Sequence, residues 1–429
     1  MLSRTKSMLP AGTISVGVGL LVAGITTYAF LVVSARALGP ERYAELSVLW
    51  TLVVLVGPGF FLPIEQELAR SLSTEVTTGP ELESGRTSFR RAAAIGSLLT
   101  GILVIATFIA ERWLLSELFD GERLLFWGFI IALVGYLFAH LLKGVLAGTS
   151  SFAAYGFLVA IEGVLRLLGA IVLVLVGTEV GGPYGLMIGL APVGAVLLSL
   201  STQWRKLQPG PRGLWRDTWA ALGLLLAGSA LAQLLLNSGP IAVKLLATEQ
   251  QDAAAGRFLA GLVMARIPLF LFQAVQAALL PKLAGLVGVS RLDDFRHGLV
   301  RLVEAIVVLI AIVIGISLTI GPWLLTLLFG AGFELDRIDL ALLAAASGGF
   351  MVAIAFGQAL IALREYVELM VGWGAGIVAL VMFTAIGSDL LRRVETGYLA
   401  GTAVAALLMS YFTFARVNER IAKLSERAN

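Results

Sequence analysis

The sequence of 429 residues contains no cysteine, only two histidines and few charged residues. The lack of cysteine excludes disulfides and thiol chemistry, and two histidines cannot build a Cys/His metal cluster, so we expect no metal and no cofactor. Charged residues make up 14% of the chain, against roughly 25% in soluble domains. Hydrophobic residues make up 58% and the mean hydropathy is +0.92. These values predict a polytopic membrane protein, with lipids and not nucleic acid around it.

Twelve apolar runs of about 20 residues follow one another along the chain, each long enough to cross a bilayer. Because the runs are continuously apolar and do not alternate with polar residues, they predict helices and not barrel strands. The runs lie at about 11–34, 46–64, 92–110, 124–147, 156–177, 184–202, 219–246, 258–280, 302–329, 340–363, 367–387 and 398–415. The expected fold is therefore an all-α polytopic membrane protein, with two six-helix lobes around a central cavity. We read the first run as an uncleaved span.

A polar, basic stretch with Pro and Gly, QWRKLQPGPRGLWRD, separates the sixth run from the seventh. We expect an N-terminal lobe at 1–205, a cytoplasmic linker at 206–217 and a C-terminal lobe at 218–429. Six spans on each side of a basic linker are typical of transporters built from two parallel repeats.

The basic residues indicate the orientation in the membrane. With the N-terminus inside, 20 of the 31 Lys and Arg residues fall in inside segments and nine fall outside, while Arg166 and Arg266 lie within spans. Short cytoplasmic loops carry the excess of Lys and Arg. Both termini are therefore predicted to be cytoplasmic.

Charges inside spans are costly and are candidates for function. Glu162 and Arg166 lie four residues apart in the fifth span, in the order that favours an ion pair. Two interpretations stay open: the pair neutralises itself to permit insertion, or it lines a polar cavity where Arg166 exchanges Glu162 for an anionic substrate. If a proton or sodium gradient drives transport, Glu162 is the first carboxylate to test.

Arg266 lies in the eighth span, with no acidic residue within a helical turn. It must therefore face water, a ligand or a carboxylate from another helix. Gln273 continues a polar side of the same span, and Pro268 is expected to kink it. In the seventh span Gln233 and Asn237 form a second polar face.

Other charges are assigned to the membrane surface. We expect His140 and Lys143, at the inner end of the fourth span, to snorkel towards water, with a substrate role as the alternative. Glu304 is expected to pair with Arg301 near the start of the ninth span.

Motifs of enzymes are missing from the sequence. It contains no P-loop, no GxSxG and no HExxH. The outside loops, about ten residues long, leave no room for the acid and base groups of an extracytoplasmic transferase. We therefore expect neither an enzyme nor a purely structural or receptor protein.

Four segments carry a family resemblance. They read ARALGPERYAEL, LLKGVLAGTSSFAAYGFLVAIEGVLRLL, AAAGRFLAGLVMARIPLFLFQAVQAALLPKL and LLFGAGFELDRIDLALLA. The first is similar to an R-x-LGP-x-x-(Y/F)-(G/A) signature between the first two spans, and the others occur in matching order. Together they resemble the multidrug/oligosaccharidyl-lipid/polysaccharide flippase superfamily, and within it the polysaccharide-transporter (Wzx-like) branch.

This resemblance implies two lobes that rock between inward-open and outward-open states. The implied cargo is an undecaprenyl-pyrophosphate-linked oligosaccharide, turned across the bacterial cytoplasmic membrane for cell-surface polysaccharide synthesis. Glycosyltransferases and a polysaccharide polymerase are the implied partners. Cavity cations would hold the pyrophosphate, and amides would hold the sugars. The candidate cations are Arg266, Arg166 and Arg36, and the candidate amides are Gln233, Asn237 and Gln273.

The alternative is a multidrug or cation antiporter of the same fold. Cationic cargo and proton coupling need carboxylates in the cavity. The interiors of the spans hold two arginines, Arg166 and Arg266, but one glutamate, Glu162, with Glu304 near the membrane edge. This excess of positive charge favours an anionic cargo.

Overall fold

The apolar runs fold as helices because, in lipid, backbone N–H and C=O groups must find their partners within the protein. The computed structural model describes residues 13–78, 82–203, 216–251 and 253–428, and no strand occurs among them. The helices of the first half are α1 (Thr13–Val56), α2 (Leu62–Thr78), α3 (Leu82–Ile109), α4 (Arg123–Gly148), α5 (Phe152–Leu175) and α6 (Gly181–Gln203). Those of the second half are α7 (Arg216–Leu246), α8 (Ala254–Ala265), α9 (Ile267–Gly288), α10 (Leu292–Thr319), α11 (Gly321–Phe329), α12 (Arg337–Leu363), α13 (Tyr366–Thr384) and α14 (Leu390–Ala428).

The first helical stretch is kinked in its middle. Gly39 has φ 71° and ψ 170°, a conformation open to a residue without Cβ, and Pro40 follows it. A straight helix over the 55 residues of Ser15–Ala69 would be about 80 Å long, more than twice the roughly 30 Å hydrocarbon core. The kink at Gly39 therefore divides the stretch into two crossings.

Ten helical stretches of the described chain are long and apolar enough to cross a membrane. One of them holds the two arms on either side of Gly39, and the eighth predicted span is interrupted at Arg266 between α8 and α9. Together these features account for the twelve crossings that the sequence predicts. The all-helical, multi-pass membrane fold is confirmed.

Two compact units divide the chain, Met1–Leu226 and Ala227–Asn429, hereafter unit 1 and unit 2. The linker expected at 206–217 falls almost entirely on residues 204–215, outside the described part of the chain. The lobe boundaries, and a cavity between the lobes, therefore stay predictions.

Small residues bring α1 and α5 close together in unit 1. A Cβ atom on Gly156 would lie 2.3 Å from the backbone oxygen of Ser15, and one on Gly163 would lie 3.2 Å from the Cα of Ala23. Only glycine permits such a close approach of two helices. This contact places the N-terminal arm of α1 against the charged face of α5.

Among the long apolar helices described in unit 2, α12 is the most buried. In its most apolar window 67% of the residues are buried, against 11% in α10. Asp339 near the start of α12 is buried, and so is Glu395 near the start of α14.

Candidate functional site

The middle of α5 carries the predicted ion pair of unit 1. Arg166 Nη2 donates to Glu162 Oε1 over 2.7 Å, and the two residues are 3% and 8% exposed. The spacing of four residues on one helix produces this contact. Burial of a charge is tolerated here because each ion has an opposite charge beside it.

Lys143 joins the same carboxylate from α4. Its Nζ lies 3.5 Å from Glu162 Oε2, and the Tyr136 hydroxyl donates to Glu162 Oε1 over 3.2 Å. His140 and Lys143 are only 6% and 9% exposed. The expectation that they snorkel towards water is wrong, because positions 136, 140 and 143 share one face of α4, and this face packs against carboxylates that compensate its charge.

Glu65 of α2 is the second buried carboxylate of unit 1. It accepts a hydrogen bond of 2.9 Å from the Tyr155 hydroxyl, and His140 Nδ1 lies 2.7 Å from its Oε2. Glu65 is 6% exposed. Sequence reasoning missed it because it stands one residue beyond the predicted second span. Its position at the end of an apolar run, GFFLPIE, was the available signal.

We call these residues the Glu162 network: Glu65, Tyr136, His140, Lys143, Tyr155, Glu162 and Arg166. Its two carboxylates balance its two permanent cations when His140 is neutral. Arg166 still has N–H groups that make weak hydrogen bonds or none. Its Nη1 makes a long hydrogen bond of 3.4 Å to Thr27, its guanidinium lies 5.2 Å from the centre of the Trp50 ring, and its buried Nε has no acceptor among the described residues. An anion that reaches Arg166 could therefore accept a hydrogen bond from it while the contact between Arg166 and Glu162 is still in place.

Arg266 occupies the break between two helices of unit 2. It ends α8 and precedes α9 with φ −93° and ψ 0°. Pro268 lies in the first turn of α9, where a missing N–H removes no helical bond. The expected kink is present, and it is centred on the arginine.

Neutral acceptors hold the Arg266 guanidinium. Nη1 donates to Asn237 Oδ1 over 3.0 Å, and Nη2 donates to the Leu236 carbonyl and, over 3.4 Å, to the Tyr398 hydroxyl. The guanidinium also lies 5.9 Å from the centre of the Tyr398 ring. Asn237 in turn donates to Gln233 Oε1 over 2.8 Å. We call these five residues the Arg266 cradle.

The positive charge of the cradle is not neutralised by any carboxylate within the described ranges. Dipoles and a ring face orient the guanidinium but leave its net charge in place. Its Nε is buried and lacks an acceptor among the same residues. The cradle thus holds a cationic group in a fixed position, and one of its N–H donors, at Nε, has no acceptor among the described residues.

The remaining predicted site residues stand apart from these two clusters. Arg36 is exposed, three residues before the kink at Gly39, and the hydrogen bonds described above do not include it. The side chain of Gln273 lies outside the described residues. Glu304 and Arg301 are both exposed, and the expected ion pair between them is not formed within the described chain.

Comparison with known proteins gives the fold its context. No protein-family model matches the chain. An uncharacterized protein of Mycobacterium tuberculosis H37Rv (Rv3630) is 24% identical over 399 residues, which cover 91% of this chain and 89% of that protein. A second one (Rv1510) is 24% identical over 402 residues, covering 91% and 88%.

Solved structures resemble the chain over nearly its whole length. A multidrug resistance MATE family transporter of the MOP superfamily, in an inward-facing conformation, matches with a TM-score of 0.71 and 14% identity, covering 95% of this chain and 99% of that one. The chain shares the fold of this transporter. An outward-facing structure of such a transporter matches with a TM-score of 0.66 and 14% identity, covering 96% and 95%. The fold implied by the resemblance to the flippase superfamily is confirmed, and its polysaccharide branch stays a prediction.

Proposed function

We propose that this protein transports a lipid-linked oligosaccharide across the bacterial cytoplasmic membrane by alternating access, for the synthesis of cell-surface polysaccharide. The carrier would be undecaprenyl pyrophosphate. Support for alternating access comes from the fold, because the similar transporters were solved in both inward-facing and outward-facing conformations. The observation that carries the choice of cargo is the Arg266 cradle.

A pyrophosphate is the kind of group that such a cradle suits. Arginine presents several N–H donors in a rigid fork that matches phosphate oxygens. Within the described part of the chain Arg266 makes hydrogen bonds to neutral groups only, so an anion would pair with it without displacing a carboxylate. Asn237 and Gln233, bonded beside it, are amides that can bind sugar hydroxyls.

Arg166 and Lys143 would form the second cationic group, in unit 1. Both now lie against Glu162. We propose that a phosphate group competes with Glu162 for Arg166. In the absence of substrate, Glu162 would then neutralise Arg166 and Lys143. We further propose that the amides and ring faces bind the sugars while the lipid tail stays in the bilayer.

A multidrug or cation antiporter is the second candidate, favoured by the buried carboxylates Glu65 and Glu162 and by the similarity to a multidrug resistance transporter. Both carboxylates, however, already accept hydrogen bonds from neighbouring side chains. Arg266, by contrast, has no carboxylate partner among the described residues, which favours the anionic cargo.

The deciding experiment uses purified protein in phosphatidylethanolamine/phosphatidylglycerol vesicles with a fluorescent undecaprenyl-pyrophosphate oligosaccharide. The fraction of label protected from an impermeant quencher reports flipping. Removing one charge-assisted contact costs about 1.5–3 kcal/mol, so Arg266→Ala should slow flipping at limiting substrate by about 10- to 150-fold. Arg266→Lys should recover part of the rate. Arg301→Ala removes an exposed arginine of the same unit and should flip normally.

Two outcomes would count against the proposal. Equal rates for Arg266→Ala and Arg301→Ala would remove the cradle from the mechanism. Transport of cationic dyes by the wild type, with no flipping of the lipid-linked sugar, would favour the antiporter.

We also propose the predicted orientation, with both termini cytoplasmic. Because the chain has no native cysteine, single cysteines can be labelled without background. Glu117→Cys, in the short helical segment Leu114–Leu118 between α3 and α4, should react with an impermeant maleimide on intact cells. Glu426→Cys, near the end of α14, should react only in inverted vesicles. The reverse pattern would contradict the orientation.

A further inference from the structure

Glu395, in the first turns of α14, is a buried acidic residue whose surroundings differ from those of Glu65 and Glu162. Its side chain is 0% exposed, and neither carboxylate oxygen has a hydrogen-bond donor among the described residues. Glu162 and Glu65, by contrast, each accept from neighbouring side chains. A carboxylate with no donor in the dry interior of a protein is strongly unfavourable.

One arginine lies near Glu395 but is already occupied. Arg392 Nε is 4.0 Å from Glu395 Oε2, beyond hydrogen-bond distance. The same Nε donates to Asp339 Oδ1 over 3.1 Å, and Arg392 Nη2 lies 2.9 Å from that oxygen. Arg392 therefore forms its close ion pair with Asp339, near the start of α12, and lies farther from Glu395.

The groups facing Glu395 carry an excess of negative charge. Asp339 of α12 lies directly beside its carboxyl group, and Asp389, just before α14, adds a second acidic group nearby. Arg392 is the facing cation within the described chain. Two adjacent carboxylates with one cation between them do not both stay ionised, because their repulsion adds to the cost of burial.

We infer that Glu395 and Asp339 form a proton-binding site in unit 2, in which the two carboxyl groups share one proton. The proton resides on Glu395, whose O–H then donates to the Asp339 carboxylate, while Arg392 stays on Asp339. This arrangement supplies Glu395 with the partner it otherwise lacks. The proposed proton-binding carboxylate therefore differs from Glu162, which accepts hydrogen bonds from Tyr136 and Arg166 and pairs with Lys143.

The site joins the starts of α12 and α14, so any movement that separates these helices would expose Glu395 and release the proton. A role in driving transport rests on the proposed function. Proton binding does not, and it can be tested on protein that transports nothing.

Infrared spectroscopy tests the proton directly, using purified full-length protein at pH 7. The wild type should show the C=O stretching band of a protonated carboxyl group, shifted in D₂O. The band should be lost in Glu395→Gln and retained in Glu334→Gln, a matched change at an exposed residue before α12. Absence of the band from the wild type, or its persistence in Glu395→Gln, would overturn the inference.

Asp339→Asn provides a second test that does not depend on the first variant folding. Removal of the Asp339 charge frees Arg392 to pair with Glu395, which can then ionise. The carboxyl band should therefore disappear in this variant as well. A band that stays unchanged would show that no proton is shared between the two residues.

Thermal unfolding supplies a readout from the pH dependence. If the folded state holds a proton that the unfolded state releases near neutral pH, the unfolded state binds fewer protons and stability falls as pH rises. The apparent Tm of the wild type should therefore drop more between pH 6 and pH 9 than that of Glu395→Gln. Parallel curves would contradict the inference.

Transport tests the coupling role separately. In the vesicle assay an imposed pH gradient should accelerate flipping by the wild type and not by Glu395→Gln, while both should flip without a gradient. If the wild type does not flip the substrate at all, the proposed function fails and the infrared result still decides the proton site. An equal response of both proteins to the gradient would overturn coupling through Glu395.

Discussion

Replacing Glu162 with glutamine would leave two buried cations without their shared counter-ion. Arg166 Nη2 lies 2.7 Å and Lys143 Nζ 3.5 Å from its carboxylate, and all three residues are less than 10% exposed. Removing one partner of a buried ion pair costs about 3–5 kcal/mol, most of it the penalty of the charge left behind. We expect Glu162→Gln to lose at least this much stability.

The double variant Glu162→Gln/Arg166→Met separates charge imbalance from lost contacts. It removes one charge of each sign and leaves Lys143 to be balanced by Glu65. A neutral pair of similar volume is often as stable as the ion pair it replaces, so most of the lost stability should return. Transport should not return, because the proposed anion contact at Arg166 is gone.

Intrinsic tryptophan fluorescence during heating in detergent is a suitable assay, because Trp50 packs against Arg166 and the chain offers no cysteine for thiol dyes. With an unfolding entropy of about 2.1 cal/mol/K per residue, 3–5 kcal/mol corresponds to a fall in apparent Tm of roughly 3–5 °C. Glu117→Gln, an exposed glutamate of unit 1, is the control. An unchanged Tm for Glu162→Gln, or a double variant no more stable than the single one, would refute the electrostatic account.

Three further predictions concern packing and the two clusters. Gly156→Ala should lower the Tm because its Cβ would lie 2.3 Å from a backbone oxygen of α1, whereas Gly17→Ala, with nothing within 4 Å, should not; equal Tm values would contradict the helix contact. Glu65→Gln should cost less stability than Glu162→Gln in the same assay, because the partners of Glu65 among the described residues are Tyr155 and a histidine that can be neutral, and not two permanent cations. Tyr398→Phe keeps the ring beside Arg266, so its flipping rate should be within about twofold of wild type. Tyr398→Leu loses a cation–π contact of about 1 kcal/mol, which corresponds to a roughly fivefold lower rate. Identical rates for the two variants in the vesicle assay would show that the ring does not contribute to the cradle.

The clusters show where reasoning within one helix succeeds. The contact between Glu162 and Arg166 follows from four residues of spacing, because one helical turn fixes their relative position. The isolation of Arg266 from acidic residues of its own span was also visible in the sequence, and in the structure neutral groups hold it. Pro268 marked the interruption of the same span.

Contacts between residues of different helices could not be predicted from sequence spacing. Glu65 and His140 are 75 residues apart, and Arg266 and Tyr398 are 132 apart. The segment 390–398, LLRRVETGY, is charged enough to resemble a solvated loop, yet Glu395 within it is fully buried. Which side chains meet there depends on how α12 and α14 pack, and no local pattern encodes that.

The sequence by itself determined the solvent in which this protein folds, its helical class and its number of crossings, because a chain with so few charges must satisfy its backbone in lipid. It also determined the pair on α5, through helical periodicity. Only the tertiary structure decided that Lys143 and His140 turn inward to Glu162 and Glu65, and that Glu395 is buried beside Asp339 without a donor. The reason is physical: contacts within a helix are set by a fixed rise and turn, whereas contacts between helices depend on which glycine-lined faces can approach each other.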